Sequence, residues 1–267
     1  MNFGRLSLTL GPARSASSDP LSAIFAVPGT RGGVLSFDYT RNRMWTTSDR
    51  TTLVTAETDP IGYVAPLYGT GLYVQQTNAA ARPVAGDARA TLSGSQYLQM
   101  PTPGFSLRKL FLCFVAEETT DVEGGGVVTA APASGNDYDQ LGAFAVETEG
   151  ASTPGQLTFV ANVNVGIGRL LATISGAGLT AKAVYSIVLD DGSVSVRRNG
   201  VVEASDTGDQ LSATHGGDLL LGARYVSGAL VNYVGHYHGL FTVLSDRIPT
   251  SDEIDLIEAA TAAEAGL

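Results

Sequence analysis

Residues 185–205 read YSIVLDDGSVSVRRNGVVEAS, and this stretch decides the fold. Asp191-Gly192 and Asn199-Gly200 are tight-turn dipeptides, eight residues apart. Both central positions of a type I′ turn need positive φ, which Asn, Asp and Gly tolerate best. Between and beside the turns, apolar and polar residues alternate. The pattern predicts three antiparallel strands near residues 185–189, 193–198 and 201–205.

Outward from this meander, the same signals recur in both directions. Upstream lie GVLSFDY from Gly33, ATLSGSQYLQMP from Ala90, the apolar run Leu107–Val115, GGGVVTAA, LGAFAVETE, GQLTFVANVNV and RLLATIS. The run Leu107–Val115 is strongly apolar, unbroken from Leu110 on, as expected of a strand buried on both faces. Downstream lie GDLLLGARY and NYVGHYHGLFTVLS. About a dozen strands emerge, with no 20–50-residue repeat to suggest a propeller or solenoid. The prediction is an all-β chain folded as a two-sheet antiparallel sandwich of jelly-roll type.

The composition agrees. Of 267 residues, 44% are hydrophobic and 32 are glycine, enough for one full core with many turns. The net charge is −10, and it is uneven. Residues 1–110 hold 10 Lys+Arg and 6 Asp+Glu, a balance of +4; residues 111–267 hold 6 and 20, a balance of −14. An acidic body repels nucleic acid and anionic membrane surfaces, so neither is an expected partner. No stretch reaches the ~18 apolar residues of a membrane helix. Met1–Arg5 does not open a signal peptide, so synthesis and folding in a cytoplasm are expected. The single cysteine, Cys113, sits in KLFLCFVAEE, where it reads as a small buried hydrophobe.

The two ends differ from the middle. At the N-terminus, Leu6–Leu10 (LSLTL) alternates like one short strand, and GPARSASSDP follows as a polar, turn-rich linker. Residues 1–22 are expected to form an attachment arm, with Leu6, Leu8, Leu10 and Arg14 as its contact residues. The alternative is that Leu6–Leu10 is the first strand of the main sheet. At the C-terminus, PTSDEIDLIEAATAAEAGL predicts a helix over 250–265. Thr250 and Glu253 fit a capping box, and Ile254 and Ile257 line one side with Leu256 beside them. This helix should pack over a sheet edge or an end of the sandwich. Residues 23–267 form the main domain.

The ordered motifs resemble the concanavalin A-like (laminin G-like) jelly-roll domains of tailed-bacteriophage virion proteins. The resemblance rests on AVPGTRGGVLSFDYTRNRMW, ETDPIGYVAPLYGTGLYVQQTNAAARPV, ATLSGSQYLQMP, VSVRRNGVVEAS, LLLGARY and YVGHYHGLFTVLSDRIPTSDEIDLIE, over roughly residues 24–267. It implies a non-enzymatic virion component of tail, fibre or capsid decoration. It implies other virion proteins as partners, assembly as a homo-oligomer (a trimer by analogy) and a location in the virion. It also implies that QQTNAAARPVAG (75–86) is a connector into a sandwich strand. Pro83 would fix its extended entry, and Arg82 would anchor it to backbone or carboxylate.

EIDLIE, Glu253 to Glu258, matches the E-x-D-x-x-E string of concanavalin A-like glucanases. On a helix, however, i, i+2 and i+5 diverge, whereas a retaining pair must lie ~5–5.5 Å apart. No catalytic residue is expected. His236 and His238 share a strand face and could bind zinc only with a third ligand, His215 being the remaining histidine. Asn136, Asp137 and Asp139 form an oxygen-rich loop that could take calcium; no other cofactor is expected. The alternative function is a carbohydrate-binding module for bacterial surface glycan. Tyr68 and Tyr73, in the Gly-rich segment, are the candidate contacts, and the remaining tyrosines and Trp45 are a reserve of aromatic faces.

Overall fold

The computed structural model describes residues 19–101, 108–120, 124–131, 143–148, 156–164, 168–175, 179, 181–208, 218–233 and 235–267. The meander forms as its turns dictate. Strands Ala183–Asp190, Ser193–Arg198 and Val201–Thr207 pair antiparallel. Asp191 and Gly192 have φ of 43° and 98°, and Asn199 and Gly200 have φ of 49° and 82°. These four residues adopt positive φ, as the hairpin turns need.

The meander is one flank of the first sheet. The order continues through Lys109–Glu118, Gly235–Ser245, Arg31–Ser36 and Pro66–Thr70. The first half of Gly235–Ser245 pairs instead with Arg89–Leu92, which carries Val84–Gly86. The second sheet runs Gly168–Ile174, Leu157–Asn164, Phe144–Thr148, Gly126–Ala131, Asp218–Leu221, Leu98–Met100, Val74–Gln75, Tyr63–Val64 and Met44–Trp45. Pairing is antiparallel throughout this order. The chain is an all-β jelly-roll sandwich with a C-terminal helix.

The main core lies between the sheets. Phe114 stacks on Phe241 at 5.9 Å between ring centroids, and Tyr185 and Tyr237 flank them. The Tyr237 hydroxyl donates across the core to the Val127 carbonyl, tying one sheet to the other. Strand Lys109–Glu118 is buried on both faces. Leu110, Leu112, Phe114 and Ala116 enter the inter-sheet core, while Phe111, Cys113 and Val115 enter a second cluster on the opposite face.

Two helices cover that second cluster. α1 (Pro20–Phe25) inserts Leu21 and Ile24, and α2 (Ser251–Ala265) inserts Ile254, Ile257 and Ala265. Leu256 stays 36% exposed. α2 therefore lies across the face of the first sheet and not at an edge or end. The reason is the apolar outer face made by Val34, Phe111, Cys113, Val115, Leu240 and Leu244, which must be covered. α1 begins at the last residue of the GPARSASSDP linker, in a stretch where the sequence suggests no helix. Its signal is Asp19-Pro20: the Asp19 carboxylate accepts from Leu21 N at 3.0 Å, with Pro at N1. The expected boundary between residues 22 and 23 thus falls inside a helix packed on the sandwich. Leu6, Leu8, Leu10 and Arg14 lie outside the described residues. No helix among the described residues is long and apolar enough to cross a membrane.

The connector behaves as its residues imply. Asn78 caps a single 3₁₀ turn, Ala79–Ala81. Arg82 then turns back, its Nε donating to the Gln76 carbonyl at 3.1 Å and its Nη2 to Thr77 O at 3.4 Å. It is a backbone anchor.

Candidate glycan-binding face

The edge of the second sheet is built from short in–out pairs. Met44, Val64 and Val74 point into the core, fully buried. Strand alternation therefore turns Trp45, Tyr63, Tyr73 and Gln75 to the outer face. Trp45 pairs in register with Tyr63, Tyr63 with Gln75, and Gln75 with Gln99. The row spans three strand spacings, about 14 Å. It begins in aromatic rings and ends in two amides. The Gln99 amide donates to the Asp218 carboxylate.

The rings form one platform. Trp45 meets Tyr63 edge-on at 5.6 Å, with planes at 73°, and Tyr63 stacks on Tyr73 at 5.2 Å and 20°. Tyr63 is only 9% exposed, whereas Trp45 and Tyr73 are half-buried and present their rings. Arg50 adds a guanidinium with its Cζ 5.2 Å from the Tyr63 ring centroid. Burial pushes the Tyr63 hydroxyl above its usual range, with Arg50 opposing. The loop bearing Arg50 is polar. The Asp49 carboxylate accepts from the hydroxyls of Thr47 and Thr51, and these bonds hold it below the usual carboxylate range. Arg50 N donates to Thr47 O at 3.2 Å, and Arg50 takes the left-handed conformation, φ 61°.

Tyr73 is thus brought together with Trp45, Tyr63 and Arg50. Tyr68 is not. It lies on strand Pro66–Thr70 of the first sheet, where its hydroxyl donates to Asp19 at the start of α1. Burial, with Asp19 second, raises it to about 12. Tyr63 and Arg50 were not singled out in the sequence. Tyr63 had a signal, the in–out dipeptide Tyr63-Val64 matching Met44-Trp45. Arg50 had none, because its ring partner lies across a loop.

The other candidate residues serve other ends. All three carboxylates of EIDLIE have structural neighbours. Glu253 completes the capping box with Thr250 and pairs with Arg247 at 2.7 Å. Asp255 lies 3.2 Å from Arg197. Glu258 is buried, accepting from Ser186 Oγ and from Arg197 Nε at 2.8 Å. The string marks a docked helix. His236 and His238 stand with rings 5.7 Å apart, and His238 Nε2 lies 3.0 Å from a Glu117 carboxylate oxygen. Among the described residues no cluster of three or more His, Cys, Asp or Glu could hold a metal. His215, Asn136, Asp137 and Asp139 lie outside the described residues. Cys113 is buried, its Sγ 3.6 Å from Thr261 Oγ1; burial pushes its thiol to about 12.

No family model and no curated protein matches the chain. Among solved structures, it is similar to the carbohydrate-binding module (CBM40) of the Ruminococcus gnavus intramolecular trans-sialidase bound to α2,3-sialyllactose. The identity is 11% over 57% of this chain and 84% of that one, with a TM-score of 0.47. It is also similar to a botulinum neurotoxin type C structure, whose cell entry is described as dependent on two ganglioside molecules. That identity is 8% over 65% of this chain and 43% of that one, with a TM-score of 0.47. A third is the leech intramolecular trans-sialidase, 12% identical over 56% and 23%, with a TM-score of 0.46. At these identities the likeness is one of architecture.

Proposed function

We propose that this chain is a non-catalytic glycan-binding module whose ligand lies along the Trp45–Tyr63–Gln75–Gln99 row. The observation that carries this is the union of an aromatic platform with two amides on one open face. A pyranose ring has an apolar C–H face that stacks on an aromatic ring, and hydroxyls that need amide donors and acceptors. Trp45 and Tyr73 supply the first, and Gln75 and Gln99 the second. No cofactor is needed for such binding. The test is a bacterial-surface glycan array followed by titration calorimetry on a hit. Trp45→Ala and Tyr73→Ala should each weaken binding about tenfold or more, because exposed aromatic anchors dominate such sites. Tyr68→Ala should leave it unchanged. An array on which the folded chain binds nothing overturns the proposal.

The resemblance of the ordered motifs to phage virion domains supports a second placement. The module would sit in a tailed-phage particle as a tail, fibre or decoration component, assembled as a homotrimer. The segment before Asp19, with Leu6, Leu8, Leu10 and Arg14, would be its attachment arm to other virion proteins. Peptide mass spectrometry of purified particles tests this, and absence of the chain from them removes it.

A further inference from the structure

We infer that the aromatic site takes an acidic saccharide, one bearing a carboxylate, and that Arg50 is the residue that selects it. This rests on the glycan-binding proposal and deepens it. Arg50 is exposed, and its guanidinium meets the ring and the hydroxyl of Tyr63. Among the described residues no carboxylate stands within ion-pair distance of it. By contrast Arg41, Arg197, Arg198 and Arg247 each face an acid of the same chain. Its neighbour Asp49 is already occupied by two threonine hydroxyls. A guanidinium carries five N–H donors, more than one tyrosine hydroxyl can take up. A fork of N–H donors matches the two oxygens of a carboxylate.

A second exposed arginine, Arg43, lies two residues before Trp45. At the far end of the row the Asp218 carboxylate accepts from the Gln99 amide. A neutral sugar would use the rings and amides alone and gain nothing from a positioned guanidinium. The predicted ligand thus places its carboxylate over Arg50 and its ring against Trp45 or Tyr73.

The experiment uses the full chain and a matched pair of probes, a uronic-acid oligosaccharide and the same oligosaccharide after carboxyl reduction. Calorimetry should show the acidic form bound about tenfold or more tightly, with the preference shrinking as salt rises. Arg50→Gln should erase the preference while leaving the affinity for the reduced form within about twofold. Arg50→Lys should keep part of it, as a point charge without the fork. Gln at position 50 meets the same φ as Arg, so the fold is not disturbed by the change; circular dichroism checks this. Equal affinity of the native chain for both probes overturns the inference and leaves glycan binding standing, as does a preference that survives Arg50→Gln. Absence of binding to either probe, with no hit on the array, overturns both.

Discussion

At the scale of single residues, the His236–His238 pair has a pH signature. Burial lowers both imidazoles, His238 to about 4, against the carboxylate of Glu117. Lys182 and the second imidazole also face His238 and push in the same direction as burial. Both rings are therefore neutral at pH 7, and His238 donates to Glu117. The unfolded imidazole binds its proton near 6.5, the folded one only near 4. Between those values the unfolded state holds more protons, so stability falls as pH drops from about 6.5 towards 4. His238→Gln should flatten the decline of the urea midpoint in that window; an unchanged slope would refute it. The sequence showed two histidines on one face but not their partner, since Glu117 is 121 residues away in sequence. Tyr68 and Tyr73 looked equivalent for a related reason. Gly69 and Gly71, at φ 87° and 77°, carry the chain between sheets, so the two rings end on different layers. Parity along a strand cannot be read through such a switch.

At the scale of elements, α2 is pinned at both ends and in the middle. Its start is held by Thr250, Glu253 and Arg247, and Arg247 also reaches the Ile24 carbonyl and Thr30. Its middle is held by Glu258 in the grip of Ser186 and Arg197. Its end is held by Lys182, which donates to the Ala265 carbonyl at 2.6 Å. The cap is the simplest member to test. Thr250→Ala removes the acceptor for Glu253 N and should cost about 1 kcal/mol in urea denaturation, or about 2–4 °C in Tm. A loss near zero would show that the Arg247 pair alone holds the end. Helix, cap and buried face were all legible, because they are local and periodic. The site of docking was not, because an apolar sheet face becomes visible only when its strands are assembled. The hairpins of residues 185–205 were legible for the opposite reason: turn chemistry is written in adjacent residues.

At the scale of the whole molecule, the layers share one strand. Lys109–Glu118 gives alternate side chains to the inter-sheet core and to the helix-covered core. Beside it runs Gly235–Ser245, which also pairs with Arg31–Ser36 and Arg89–Leu92. That arrangement has a consequence for synthesis on the ribosome. Until residue 245 has left the exit tunnel, the centre of the first sheet is missing a strand, and its neighbours lack half their hydrogen bonds. Until α2 follows, Phe111, Cys113 and Val115 stay bare. The earlier two hundred residues must therefore wait as an incomplete sandwich with an open seam. Such long-range closure is slow and exposes apolar surface to other chains. Nascent chains stalled before residue 235 should be cut rapidly by protease within 109–118, and chains released after α2 should resist. Equal resistance at both stall points would mean that the seam closes without its central strand. A chain built this way has reason to keep its surface acidic, since mutual repulsion protects the waiting, unzipped form from its own copies.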